Sequence, residues 1–255
     1  MVPDITNWLM VFLRVSAMLA VFPVFSAPNF PVQLRLALGA VLAFLISTTL
    51  PAPMLAQDLL GLTGQMAMEI CIGLLLGFAS RMIFFALEFA GALVSVEIGL
   101  SMPASINPMS ETSMAAPSAM LYYLAVMLWL CLDLHHWMLA GLQRTYFFLP
   151  VGGAHVTQEL LTDIVSRTAR IFAVALQLSA PLMAVSFIIS LVFSLLGRAV
   201  PQMNVFGESV AVRPLVGLSV FGLTLDLMSE HIVNYLRQLP EDFLRVAQLL
   251  GAHNP

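Results

Sequence analysis

The sequence predicts an all-α integral membrane protein with about six hydrophobic helices arranged in hairpins. Three observations carry that expectation. Of the 255 residues 60 % are hydrophobic and 9 % charged, where soluble domains carry roughly 25 % charged residues. The mean hydropathy is +0.95. Long uncharged runs recur at the length of a bilayer crossing, which takes roughly 20 apolar residues in helix. So little ionic surface cannot solvate a globule, which excludes a soluble enzyme.

The elements follow from those runs and their breakers. Uncharged stretches cover Val15 to Leu34, Leu36 to Gln57, Thr112 to Leu132 and Ile171 to Gly197. Leu59 to Val96 and Pro214 to Leu236 are nearly as apolar but carry Glu69, Arg81 and Glu88 in the first and Asp226 and Glu230 in the second. Pro28, Pro31, Pro51 and Pro53 bracket one helical hairpin, because proline lacks the donor that continues a helix. Pro150, Gly152 and Gly153 end another. The first cation is Arg14, with no small-residue cleavage pattern after a basic segment, so the N-terminal stretch is expected to remain in the protein. The tail from about residue 237 to 255 is amphipathic: Glu241, Asp242 and Arg245 alternate with Phe243, Leu244, Ala247 and Leu250 after Pro240, reading as a surface or partner contact. Residues 1–255 are expected to form one domain.

Charge and cysteine usage narrow the partners. All ten cations are arginine, and fourteen acids bring the net charge to -4. Nucleic acid is excluded, since phosphate binding needs a clustered basic face. Single arginines scattered between segments leave the membrane orientation open. Cys71 and Cys131 each stand in an apolar run, where a thiol behaves as a small buried hydrophobe and no disulfide is expected. No H-E-x-x-H, G-x-S-x-G or phosphate loop occurs, so catalysis, cofactor binding and a metal centre lack their characteristic residues.

Two patterns carry functional content. Glu69, Gly73, Gly77 and Arg81 step by four, setting an acid, a base and a GxxxG on one helical stripe. Gly91, Ser95 and Gly99 continue the small-residue row. Glycines at that spacing let backbones approach closely, within one chain or between subunits. Glu69, Arg81, Glu88 and Glu97 point to a face covered by protein or water, or to a buried ion pair within the chain. In the second pattern, Pro103, Asn107, Pro108 and Pro117 interrupt the helix between apolar segments, and Met102, Met109 and Met114 supply flexible side chains. A solvated loop fits this stretch, and so does backbone lining a closed cavity. His135 and His136, beside Asp133 and Trp137, fit a proton relay or an interfacial position.

Arg198, Ala199, Val200, Pro201, Gln202, Met203, Asn204, Val205 and Phe206 closely match a signature stretch of the FliR family of flagellar biosynthetic proteins, whose virulence counterpart is the T subunit of type III secretion systems. The chain resembles that family over most of its length. Arg14, Pro23, Pro31 and Arg35 fit its N-terminal pattern, and Glu69, Gly73, Gly77 and Phe78 fit its E-x-x-x-G-x-x-x-G-F run. The histidine pair followed by Leu149, Pro150, Val151 and Gly152 also falls in place. Two departures stand out. Glu208 is charged where the family is apolar, with Arg213 keeping the basic position, and Glu97 replaces a more usual glutamine.

The resemblance implies a non-catalytic subunit of the inner-membrane export gate of a type III secretion system, most simply the flagellar one in the basal body. Its implied partners are FliP-like and FliQ-like gate subunits, FlhB-like and FlhA-like export components, and unfolded protein substrates in transit. It implies that hairpins rise out of the bilayer, so that hydropathy overstates the spans. It also implies a plug over residues 101–113, with Met102, Pro103, Ile106, Asn107, Pro108, Met109 and Met114 at the gate. Gly73, Gly77, Gly91 and Gly99 would hold helices together, and Glu69, Arg81, Glu88, Glu97 and Arg213 would be buried polar or intersubunit groups. An autonomous secondary transporter using Glu69, Arg81, Glu88 and Asp133 is the alternative, but only one broken segment occurs where such a transporter needs a corresponding pair.

Overall fold

A computed structural model describes residues 5–27, 30–51, 56, 58–100, 115–153, 157–202 and 204–251, with the side chains of residues 205 and 206 left aside. The described residues form helices without strands. In order these are α1 (Ile5–Val21), α2 (Val32–Ser47), α3 (Leu59–Ile98), α4 (Ala116–Cys131), α5 (Leu134–Phe148), α6 (Gln158–Ala199) and α7 (Val205–Gly251). Three of them, α3, α6 and α7, are long and apolar enough to cross a membrane, and the pair α4 and α5, bent by 74°, makes up to four spans.

Several boundaries differ from the hydropathy reading, each for a local reason. The run from Val15 to Leu34 breaks after Val21, because Pro23 and Pro31 lie inside it and Phe22 to Ala27 turn the chain. The run ending at Leu132 does end a helix at Cys131, but the 74° bend that follows, with Asp133 at a left-handed φ of 54°, is not recorded in hydropathy. Pro240 begins no new helix: it lies within α7, which continues through it to Gly251. Pro181 likewise sits inside α6. The two thiols are free and exposed, since both lie on outward faces of their helices.

The chain divides into two compact units of discontinuous segments. The first combines residues up to Met82 with Leu130–Thr168 and the stretch from Arg237 onward. There α1 and α2 form an antiparallel hairpin, with the Trp8 indole donating to the Ala40 carbonyl at 3.2 Å. Phe243, Val246, Ala247 and Leu250 bury the apolar face of the C-terminal segment, so the amphipathic tail covers its own chain, with Gly141 of α5 facing the Phe243 ring.

The second unit holds Ile83–Trp129 and Ala169–Leu236. Phe84, Leu87, Val94, Leu121 and Trp129 form its buried core between α3 and α4. Its α6 and α7 run antiparallel, tied by Arg213 donating to Ser190 Oγ at 2.9 Å and by Tyr235 donating to Gln177 Oε1 at 2.8 Å. At the turn of that hairpin, Asn204 Oδ1 accepts the Gly207 N–H at 3.2 Å, capping the first turn of α7.

Candidate functional site: a buried ion-pair node

Arg14 and Glu69 are both fully buried in the first unit. Arg14 lies on α1 among apolar residues, a single cation that needs an acid to be tolerated there. Glu69 supplies it from α3. Arg14 Nε donates to Glu69 Oε2 at 2.6 Å and Nη2 to Oε1 at 3.0 Å, the two-pronged geometry that a planar guanidinium offers a carboxylate. The remaining prong, Nη1, donates to the Leu149 carbonyl at 3.1 Å. Glu69 Oε1 also accepts the Gly152 N–H at 3.1 Å. Tyr146 closes the node by placing its ring 4.1 Å beneath the guanidinium carbon.

Three segments far apart in sequence therefore meet at one point: α1, the glycine stripe of α3, and the turn after α5. The stripe makes the approach possible. A Cβ on Gly73 would lie 2.2 Å from the Arg14 carbonyl oxygen, and one on Gly77 would lie 2.7 Å from the Met18 carbonyl oxygen. Gly152 has a φ of +80°, a conformation that suits glycine, and a Cβ there would meet the Gln65 amide at 2.7 Å. The glycines bring the backbones together, and the ion pair fixes their register.

The charged groups of the node are fully engaged. Both carboxylate oxygens accept, and Nε, Nη1 and Nη2 of the guanidinium all donate, so the arrangement holds three segments in place. Beside them the Tyr146 hydroxyl is buried with no hydrogen-bond partner among the described residues. Glu69 and Arg81 share a stripe but serve different partners, since Arg81 Nη1 donates to the Val21 carbonyl at 3.4 Å and to Ser26 Oγ at 3.3 Å.

The other sequence-derived residues fall in the second unit or at its turns. Gly91 faces Ser118, where a Cβ would lie 2.3 Å from the Ser118 Cα, and Ser118 Oγ donates to the Glu88 carbonyl at 3.0 Å. Gly99 ends α3 at a φ of +83° with open space around its Cβ position, so it stops the helix and packs against nothing among the described residues. Glu97 is half-buried, and its carbonyl accepts from Ser186 Oγ at 3.4 Å. Glu97 and Arg213 line one narrow cleft with Ile98 and Gly217. Arg198 lies in the last turn of α6, Pro201 and Gln202 form the turn, and Asn204 is the cap of α7. Met203, the side chains of Val205 and Phe206, and the gate residues Met102, Pro103, Ile106, Asn107, Pro108, Met109 and Met114 lie outside what is described.

Sequence reasoning missed two sets of contacts. The partner of Glu69 is one; its signal was a lone arginine in the apolar N-terminal helix. The other is an ion network in the first unit, where Asp163 binds Arg167 and Arg245 while Arg167 Nη1 reaches Asp242 Oδ1 at 2.6 Å. His135 and His136 flank Asp133, their rings 4.0 Å apart, with His136 and Trp137 exposed.

Residues 5–239 match the family model described as bacterial export proteins, family 1. The chain belongs to that family. Its members include proteins named flagellar biosynthetic protein FliR. That of Escherichia coli strain K12 is 28 % identical, covering 93 % of this chain and 92 % of the relative. The Caulobacter vibrioides protein is 29 % identical over 92 % of this chain and 94 % of its own length. For Bacillus subtilis strain 168 the identity is 27 %, over 96 % and 95 %. Arg14, Glu69, Leu149 and Gly152 all lie within the matched region.

Proposed function

We propose that the chain is a non-catalytic subunit of the flagellar protein-export apparatus, embedded in the bacterial inner membrane at the basal body and contributing part of the wall of an export gate. Family membership and the names of the relatives give the export role. The wall role rests on one observation, the surface of the α6 and α7 hairpin. Leu223 is 84 % and Leu227 51 % exposed, and between them stands Asp226, exposed and without an ion-pair partner among the described residues. A carboxylate amid leucines is costly against acyl chains, and it is tolerated where protein or water covers it. FliP-like and FliQ-like subunits are the natural cover, with FlhB-like and FlhA-like components further out.

The node supports the same reading from the other side. Glu69 is fully engaged within the chain, so it has no free valence with which to carry an ion as a transporter's acid must. Residues 101–113 complete the proposal as a plug, closing the passage through which unfolded flagellar subunits travel.

Copurification tests the reading. The tagged chain, expressed alone and with P-like and Q-like subunits of the same organism, is extracted in mild detergent and its mass measured under native conditions. A hetero-oligomer of fixed composition is the expected result; a stable monomer or homodimer that ignores those subunits overturns it. Deleting residues 104–110 from the assembled gate should then make cells leak small ions, and unchanged permeability sinks the plug.

A further inference from the structure

We propose that the cleft between α5 and the C-terminal part of α7 binds the headgroup of an anionic phospholipid. The cleft lies wholly within the first unit and encloses about 430 Å³, within the range of small-molecule sites. Arg144 from α5 and Arg237 from α7 both line it, with a single acid, Glu241, one turn beyond Arg237 on α7. Trp137 stands at its wall, 60 % exposed, and Leu134 and Leu244 supply apolar lining.

The two arginines share one cleft without a protein partner for their side chains; Arg35, Arg170 and Arg198 also lack one among the described residues, but do not line it. Elsewhere in the chain Arg14, Arg167 and Arg245 are ion-paired, and Arg81 and Arg213 donate hydrogen bonds to protein oxygens. Among the described residues neither Arg144 nor Arg237 has a hydrogen-bond or ion-pair partner. Two guanidiniums lining one cleft with a single carboxylate leave it net positive, and their planar donor sets fit phosphate oxygens two at a time.

Chemical depth selects a lipid over a soluble anion. Along α7 the apolar stretch from Pro214 to Leu236 gives way at Arg237 to a segment bearing Glu241, Asp242 and Arg245. That change of polarity is what a helix shows where it leaves the hydrocarbon, and an exposed tryptophan beside arginines is the usual company of headgroups. A free phosphate would satisfy the arginines but leave the leucine lining bare. A glycerophospholipid satisfies both, with its phosphate at Arg144 and Arg237 and its upper acyl carbons against Leu132, Trp137 and Leu244.

The test uses the full-length chain in mild detergent, alone and in the complex with which it copurifies. Native mass spectrometry follows retention of added phosphatidylglycerol, phosphatidylcholine or inorganic phosphate. Phosphatidylglycerol should be retained over phosphatidylcholine by about tenfold, because both offer a phosphate but the choline cation of the second is repelled by the two guanidiniums. Arg144→Gln with Arg237→Gln should erase that preference, whereas Glu241→Gln should keep or strengthen it. Should the glutamine variant fail to accumulate, Arg144→Lys with Arg237→Lys retains the charge and should lose only part of the preference. Equal retention of the two lipids, or a preference that survives the glutamine variant, overturns the proposal. Inorganic phosphate competing as well as phosphatidylglycerol assigns the cleft to a soluble anion instead. A preference seen in the lone chain and absent in the complex assigns it to an acidic segment of a partner, which also overturns the lipid.

Discussion

The node of the first unit and the α6 and α7 hairpin of the second treat their polar groups in opposite ways. At the node, Arg14 and Glu69 are wholly buried and both charged groups are satisfied inside the chain. On the hairpin, apolar side chains face outward and Asp226 stands among them. The most apolar stretch of α3 is 56 % buried, against 11 % for α6 and 6 % for α7. The first arrangement is a fold that closes on itself; the second is a surface whose stability is supplied by what surrounds it.

The largest effect expected from that contrast is at the node. Glu69→Gln leaves the Arg14 guanidinium buried without a counter-charge, which typically costs about 3–5 kcal/mol. Folded domains hold roughly 5–15 kcal/mol in all, so accumulation and thermal midpoint in detergent should both collapse. Removing both charges, with Arg14→Met and Glu69→Leu, should recover most of the loss, because an apolar pair of similar volume has no unpaired ion to bury. A Glu69→Gln chain with an unchanged midpoint would show that the pair does not hold the fold.

Glycine substitutions sharpen the contrast because the two regions predict opposite signs. Gly73→Ala places a Cβ against the Arg14 carbonyl and the Ala17 Cβ, so α1 must shift away from α3, a strain of about 1–3 kcal/mol. Gly222 lies inside α7 with nothing within 4 Å of its Cβ position. There alanine meets no obstacle and gains helix propensity, a stabilisation of about 1 kcal/mol. Thermal midpoints of the two variants, measured in the same detergent, should move apart; a common direction would mean that the glycine stripe does not set the helix approach.

How much of this was legible in sequence depends on the range of the interaction. The helical class and most of the long apolar elements followed from composition and run length, because hydrocarbon tolerates only backbones that satisfy themselves. The stripe through Glu69, Gly73 and Gly77 was visible as well, since residues four apart share a face. What it packed against was not. The separation from Arg14 to Glu69 is 55 residues and that from Arg14 to Leu149 is 135, and no local period records such a pairing. The end of the apolar run at Leu132 was legible, but the bend beyond it was not, because a residue's hydropathy carries no sign of its φ. Pro240 misled in the opposite direction, because the turn it would start is overridden by the burial of Leu239, Phe243 and Val246.

The smallest effect on the chain itself should be the largest on its assembly. Asp226→Leu removes an exposed carboxylate with no ion-pair partner among the described residues, so the stability of the lone chain should change by no more than about 0.5 kcal/mol. If lipid covers that face, leucine is the better residue, and complex yield stays level or rises. If a partner subunit covers it, Asp226 meets a donor or cation across the contact, and its loss leaves that group desolvated and unpaired, an effect of about 1–3 kcal/mol on association alone. Copurified complex should then fall about tenfold while the thermal midpoint of the free chain holds. Asp226→Asn separates charge from hydrogen bonding: recovery by asparagine points to a donor opposite the carboxylate, and continued loss points to a cation. Because Glu69→Gln acts on folding and Asp226→Leu on association, the same pair of measurements reads both halves of the contrast.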